Sequence, residues 1–200
     1  MKLRGLYAIT PDGVESERLV EKVRLALEGG IALLQYRRKS VSTDTRFLEA
    51  KKLILLARSS GVPFIVNDDV ALALALGADG VHVGRDDPDI LFSKTRLPGK
   101  IVGASCYNDI DLARGAVRAG ADYVAFGSVF ASPTKPGAVR ASLSLFENDL
   151  GVPLCAIGGI TLDNAPQAID AGADMLAVIS DLFDAPDIAA RARQYGKLFT

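Results

Sequence analysis

The sequence predicts an α/β fold: a single-domain (β/α)8 TIM barrel spanning residues 1–200. Three observations carry that prediction. A cadence of apolar helix-like run, Gly-Ala-Asp and short β-rich run recurs at Leu76-Gly77-Ala78-Asp79, Ala119-Gly120-Ala121-Asp122 and Ala171-Gly172-Ala173-Asp174. A looser copy lies at Glu28-Gly29-Gly30-Ile31-Ala32. A glycine that stops a helix just before a buried parallel strand punctuates a β/α unit. The chain also accommodates eight short apolar strand candidates, and no linker, low-complexity segment or composition break divides it. At 200 residues and 21.1 kDa it can bury one full core, with tight connections between eight units.

The strand candidates, in order, are Leu6–Thr10, Leu33–Arg37, Phe64–Asn67, Gly80–Gly84, Ile101–Ser105, Tyr123–Gly127, Pro153–Ile157 and Met175–Ser180. Each is bounded by Gly, Pro, Asp or Asn, as strands covered on both faces are. Between the first two, Leu19, Val23, Ala26 and Leu27 recur at helical spacing, and Phe47, Ala50, Ile54 and Ala57 repeat the pattern after the second. Val70–Leu76, Leu112–Ala119, Asn164–Ala171 and Ile188–Phe199 supply later helices. Alternating β and α leaves a closed barrel or an open doubly wound sheet. Strand number, length and the even spread of polar strand ends favour the barrel. Thr10-Pro11-Asp12-Gly13 is no dinucleotide-binding glycine loop, and no Walker-type glycine loop is present.

Composition excludes several roles. A net charge of −1 argues against a general nucleic-acid surface or an anionic membrane anchor. No apolar run is long enough to span a bilayer. MKLRGLYAIT turns polar too soon for a secretory signal, and Cys106 and Cys155 read as reduced thiols, so a cytoplasmic location is expected. Small-molecule substrates are the expected partners, with a homo-oligomer compatible with the chain.

A barrel gathers its chemistry at the C-terminal rim of its strands. The second strand runs into Gln35-Tyr36-Arg37-Arg38-Lys39, where alternation places Gln35, Arg37 and Lys39 on one side and Tyr36 and Arg38 on the other. Two cations and an amide aimed together suit a pyrophosphate; a solvated basic stretch is the plainer alternative. The third strand ends in Asn67-Asp68-Asp69 and the fourth in Gly84-Arg85-Asp86-Asp87. Carboxylates after adjacent strands suit one shared Mg²⁺ or a set of helix caps, and the residues alone leave both open. Asp69 fits the cap of the following helix. The sixth strand opens into a long loop from Gly127 to Gly137 carrying hydroxyls, Lys135 and glycines, suited to phosphate or to closure over a ligand. Gly158-Gly159 and Ser180 follow the last two strands, where barrels bind phosphate monoesters. His82, mid-strand, reads as a core histidine. Cys106 is near the rim without an activating base, and Cys155 reads as core.

Together these motifs resemble the thiamine-phosphate synthase family over essentially the whole chain. The matching pieces are LYAIT, QYRRK at 35–39, IVNDD at 65–69, GVHVGRDD at 80–87, GAS at 103–105, FGSVFASPTK at 126–135, AIGGIT at 156–161 and AVIS at 177–180. The resemblance implies that Gln35, Arg37, Lys39, Asn67, Ser105 and Lys135 hold a pyrimidine diphosphate, with Arg37, Lys39 and Lys135 catalytic. It implies that Asp68 and Asp87 ligate Mg²⁺, and that Ser132, Thr134, Gly159, Ile179 and Ser180 hold a thiazole phosphate. The implied reaction condenses the two into thiamine phosphate and pyrophosphate. The chain departs from the family pattern at Arg85, Cys106-Tyr107, Ala131-Ser132 and Ser142-Leu143, although Ser132 keeps a hydroxyl. A related thiazole tautomerase lacks the paired carboxylates and uses a histidine just after strand five, where this chain has Tyr107. A non-catalytic phosphate-ligand binder is the rival of another class, and a Schiff-base aldolase lacks its inward mid-strand lysine.

Overall fold

A computed structural model describes residues 3–85, 87–131 and 140–200. Eight parallel strands pair in chain order and close, first strand to last, into a barrel. They are β1 (Gly5–Ile9), β2 (Leu33–Tyr36), β3 (Phe64–Asn67), β4 (Gly80–Val83), β5 (Ile101–Tyr107), β6 (Tyr123–Phe126), β7 (Leu154–Ile157) and β8 (Met175–Val178). Around them lie α1 (Ser16–Glu28), α2 (Thr43–Ser59), α3 (Val70–Leu76), α4 (Ile90–Arg96), α5 (Ile110–Arg118), α6 (Ala165–Asp170), α7 (Ser180–Phe183) and α8 (Ile188–Gly196).

The expected strands are all present, but several ends move. β1, β2, β4 and β6 stop one residue earlier than expected, and β7 starts one later. β8 stops at Val178 because Ile179 and Ser180 turn directly into α7, whose first bond runs from the Phe183 N–H to the Ile179 carbonyl. β5 instead continues to Tyr107 through an irregular register after Ser105, held by the Gly127 N–H on the Tyr107 carbonyl at 3.0 Å. α4 escapes a periodicity search because Ser93 is the one residue it buries. Between β6 and β7 the described chain forms a 3-10 turn, Leu143–Glu147, in place of a full crossover helix.

Strand alternation separates two cores. Tyr7, Ile9, Leu33, Ile65, Tyr123, Ala125, Cys155, Met175 and Ala177 pack inside the barrel. Leu34, Tyr36, Phe64, Val66, Val124 and Leu176 point outward beneath the helices. Gly103 leaves room for Tyr123: a Cβ there would lie 2.0 Å from the tyrosine Cζ.

The recurring Gly-Ala-Asp has a structural cause at the N-terminal end of the barrel. Asp79, Asp122 and Asp174 each precede an even-numbered strand. Each carboxylate accepts an N–H from the start of the strand before it: that of the first residue, Phe64, at 2.9 Å, of the second, Val102, at 2.6 Å, and of the first, Leu154, at 3.1 Å. Each main-chain N–H returns a bond to the same residue's carbonyl, at 3.0, 2.8 and 2.8 Å. The looser copy has Ala32 at this position and keeps only the main-chain bond, to Leu6 at 2.8 Å. An N–H that opens a buried strand needs an acceptor, and the carboxylate supplies a charged one. Replacing Asp174 with Ala therefore lowers unfolding stability by roughly 1.5–3 kcal/mol, read by urea denaturation. Catalytic turnover should stay within about twofold, since the clip sits at the end away from the functional rim.

Candidate active site

The pleat sorts the basic run after β2. Gln35 points into the barrel, 2% exposed, and its Nε2 donates to the Tyr7 hydroxyl at 2.5 Å. Tyr36 and Arg38 point outward to Glu49 on α2. The Tyr36 hydroxyl donates to Glu49 at 2.8 Å, and Arg38 donates through Nε and Nη2 at 3.0 and 2.9 Å. Burial pushes the Glu49 carboxyl up, but bonds from Arg38, Ser16 and Tyr36 outweigh it and hold the group below the usual carboxylate range. Arg38 is thus a neutralised structural cation. Glu49 was missed by sequence reasoning; its one signal is an acid within the buried face formed by Ala50, Leu53, Ile54 and Ala57. Arg37 is held at the rim by its backbone. Its N–H donates to the Thr10 hydroxyl at 2.8 Å, and that hydroxyl donates to the Arg37 carbonyl at 3.0 Å.

Beyond β3 the three polar residues divide their roles. Asn67 ends the strand half-buried. Asp69 caps α3, accepting the Leu72 N–H at 2.8 Å, as expected. Asp68 is left at the rim with a left-handed backbone, φ 64°, its N–H held by the His82 carbonyl at 2.8 Å. An aspartate kept in this region is a local cost that clusters at functional sites. Its carboxylate lies 3.1 Å from Lys39 Nζ. Asp87, after β4, accepts the Gly84 N–H at 2.7 Å and has the Asp68 carboxylate as its neighbour. Burial, reinforced by the adjoining Asp68 carboxylate, holds Asp87 above the ordinary carboxylate range.

Two neighbouring carboxylates, each offering hard oxygens, form a donor set that suits Mg²⁺. Among the described residues no cluster of three or more His, Cys, Asp and Glu side chains could ligate a metal. The pair would leave most of an octahedral shell to water and to phosphate oxygens, the usual arrangement for this ion. A cleft of about 650 Å³ begins at Lys39, Asn67 and Asp68 and runs outward between α2, α3 and α4 to Phe92 and Arg96.

On β5 the Ser105 hydroxyl lies 2.8 Å from His82 Nε2, and His82 Nδ1 lies 2.8 Å from the Tyr123 hydroxyl. His82 is the buried, satisfied histidine expected, but its partner is a candidate site residue, a link that spacing did not reveal. Cys106 turns outward into the core beneath the helices, where burial pushes its thiol up to about 12. Although it lies near the rim, its thiol faces away from the mouth. Tyr107, φ 54°, stands beyond it with its hydroxyl accepting the Arg85 N–H at 3.1 Å and the Arg85 guanidinium 4.7 Å from its ring centre.

Across the mouth, β7 and β8 end side by side in Gly158-Gly159 and Ile179-Ser180. Gly159 has φ 63°, and a Cβ there would lie 2.3 Å from the Ala131 carbonyl oxygen, so only glycine fits. Asn164 brackets this turn, accepting the Thr161 N–H and donating to the Gly159 carbonyl, both at 2.9 Å. The structure therefore gathers Gln35, Lys39, Asp68, Asp87 and Ser105 on one side of the mouth, with Gly159, Ile179 and Ser180 on the other. Ser132, Thr134 and Lys135 lie outside the described residues.

The model of the thiamine monophosphate synthase family matches residues 6–182. A thiamine-phosphate synthase of Aromatoleum aromaticum is 56% identical over 202 residues, covering 99% of this chain and 97% of the relative. One from Methylobacillus flagellatus is 54% identical over 200 residues, covering 98% and 96%. Among solved structures, thiamine phosphate pyrophosphorylase from Pyrococcus furiosus superposes with a TM-score of 0.87 at 37% identity, covering 99% of this chain and 96% of that one.

The raised Asp87 has a measurable consequence. A carboxyl whose folded pKa lies above its unfolded value stabilises the fold when protonated, and that contribution fades as pH rises through the folded pKa. Without divalent metal at pH 7, Asp87→Asn should raise the melting temperature by about 1–2 °C. The gain should close on acidification toward pH 4, near the ordinary carboxylate value. Differential scanning fluorimetry across pH checks this; a lower melting temperature at pH 7 contradicts it.

Proposed function

The chain belongs to the thiamine monophosphate synthase family, and from that premise we propose how its rim carries out the transfer. The activity is that of a thiamine-phosphate synthase. The pyrimidinylmethyl group of 4-amino-2-methyl-5-(diphosphooxymethyl)pyrimidine moves to the nitrogen of 4-methyl-5-(2-phosphoethyl)thiazole, or of its carboxylated tautomer. The products are thiamine phosphate and pyrophosphate. One observation supports the assignment of roles above all: the Asp68 and Asp87 carboxylates are neighbours, with Lys39 3.1 Å from Asp68, beside the inward-facing Gln35 and Ser105.

Asp68 and Asp87 hold Mg²⁺, which when bound supplies positive charge to the departing diphosphate. Arg37 and Lys39 bind the same diphosphate, and Lys135 joins them on the strength of the family motif. These fixed cations stabilise negative charge as the carbon–oxygen bond breaks. Gln35, Asn67 and Ser105 hold the pyrimidine ring. Gly159, Ile179 and Ser180, with Ser132 and Thr134, hold the thiazole phosphate on the opposite wall. The aminopyrimidine tolerates the positive charge left on it, and the thiazole nitrogen attacks with its own lone pair. No protein base is needed at that step, in keeping with a lone histidine whose two ring nitrogens are both engaged.

A tautomerase reading has less support, because Tyr107 occupies the position that chemistry needs for histidine and its hydroxyl is bound to the Arg85 backbone. The family's small-molecule chemistry is accompanied by no described helix long and apolar enough to cross a membrane. A cytoplasmic location is part of the proposal. So is self-association, for which Leu55, Leu74, Leu91 and Phe92 on neighbouring helices present exposed apolar area to a second copy. Sedimentation velocity tests that last point, and a monomer throughout the micromolar range removes it.

The decisive assay follows pyrophosphate release with both substrates present. Release should require Mg²⁺ and the thiazole phosphate. Asp68→Ala and Lys39→Ala should each lower turnover by about 10²–10³-fold, as loss of one transition-state charge partner does. Turnover near the parent value in either variant would remove the leaving-group assignment.

A further inference from the structure

A continuous hydrogen-bonded chain crosses the inside of the barrel below the rim. Gln35 Nε2 meets the Tyr7 hydroxyl at 2.5 Å, Tyr7 meets the Tyr123 hydroxyl at 2.7 Å, Tyr123 meets His82 Nδ1 at 2.8 Å, and His82 Nε2 meets Ser105 Oγ at 2.8 Å. The three central rings are enclosed: Tyr7 is 1%, Tyr123 0% and His82 7% exposed. Enclosed, with a hydroxyl against each ring nitrogen and no carboxylate bonded to the ring, His82 sits as a neutral imidazole carrying one ring hydrogen.

Each phenol, and the neutral imidazole, has one hydrogen to share between two neighbours. If one link points one way, every link must point the same way, or a buried donor is left without an acceptor. The Gln35 end sets the direction, because an amide nitrogen only donates. Tyr7 accepts from Gln35 and therefore donates to Tyr123. Tyr123 donates to His82 Nδ1, which places the imidazole hydrogen on Nε2, where it is donated to Ser105 Oγ. Two groups are then left to face the mouth: the Gln35 carbonyl oxygen as an acceptor, and the Ser105 hydroxyl hydrogen as a donor. Among the described residues neither has a further partner.

We infer that Tyr7, Tyr123 and His82 form a polarity relay, positioning residues that present Gln35 as acceptor and Ser105 as donor and thereby select a 4-aminopyrimidine over its 4-oxo counterpart. This rests on the placement of Gln35 and Ser105 against the pyrimidine proposed above. An exocyclic amine donates and the adjacent ring nitrogen accepts, which matches the pair. A 4-oxo ring reverses both, offering a carbonyl and a ring N–H, so each faces a group of its own kind. Sites that hydrogen-bond a substrate discriminate most strongly when the wrong ligand strands their buried groups.

The chain has one histidine, so ¹⁵N spectra of the imidazole need no assignment. In the parent protein His82 should appear as the neutral Nε2–H tautomer at pH 7. The second readout is the ratio of inhibition constants for 4-amino-2-methyl-5-(phosphooxymethyl)pyrimidine and its 4-oxo analogue, a binding comparison that leaves reaction electronics out. Tyr123→Phe removes the middle link. It should shrink that ratio at least tenfold and give an imidazole signal mixed between tautomers, with KM for the thiazole phosphate unchanged. Tyr7→Phe should do the same with a smaller effect on the imidazole. An Nδ1–H tautomer in the parent protein overturns the relay, as does an undiminished ratio in a folded Tyr123→Phe. If Tyr123→Phe fails to fold, the parent tautomer and Tyr7→Phe decide. A parent protein that releases no pyrophosphate from both substrates fails the proposed function instead, whichever tautomer is seen.

Discussion

A polar atom inside a closed parallel barrel has no water to turn to, and the inward-facing residues of this chain all answer to that constraint. Tyr7 and Tyr123, on β1 and β6, satisfy each other hydroxyl to hydroxyl. From there the bonding has to continue until it reaches a rim where a ligand can take over. The barrel is therefore graded along its axis. Strand-opening N–H groups are closed off by Asp79, Asp122 and Asp174 at one end. Apolar residues and the tyrosine–histidine chain fill the middle. Charge with few protein partners collects at the other end, where Asp68, Asp87 and Lys39 meet.

The same geometry decides which charges are available. Arg37, Arg38 and Lys39 are consecutive cations, yet the pleat sends Arg38 beneath α2, where Glu49 takes it up at 2.9 Å. A buried, paired guanidinium cannot assist a leaving group without abandoning its carboxylate. Asp68 and Asp69 divide in the same manner, one capping α3 and the other standing at the mouth. Adjacent residues of one type thus acquire opposite roles through the direction in which the backbone aims them.

Much of this was legible in the sequence because it is periodic. Alternation alone separated Gln35, Arg37 and Lys39 from Tyr36 and Arg38, and the Gly-Ala-Asp cadence announced the β/α unit before its aspartate clip was visible. What stayed hidden depends on contacts between residues far apart in the chain. Glu49 binds Arg38 across 11 positions, and Tyr7 binds Tyr123 across 116. No local pattern encodes such pairs. α4 was hidden for another reason, since a helix that buries only Ser93 has no apolar stripe to detect. The site's family motifs were readable one strand end at a time, and the nearness of Asp68 to Asp87 followed from the pairing of β3 with β4, whereas the link from Ser105 to Tyr123 through His82 was not readable.

The buried histidine also bears on the electrostatics of the proposed transfer. Loss of diphosphate leaves positive charge on the pyrimidine, which the proposal seats against Ser105, itself 2.8 Å from His82. An imidazolium at that position would oppose the charge as it forms. Burial that holds the imidazole pKa down to about 4 keeps the ring neutral throughout the physiological range. In the proposal, cations are concentrated instead where the diphosphate departs, at Arg37 and Lys39. On this proposal, a barrel with cations set around its mouth and neutral hydrogen bonding beneath it separates the two halves of a dissociating bond by environment, without moving a proton.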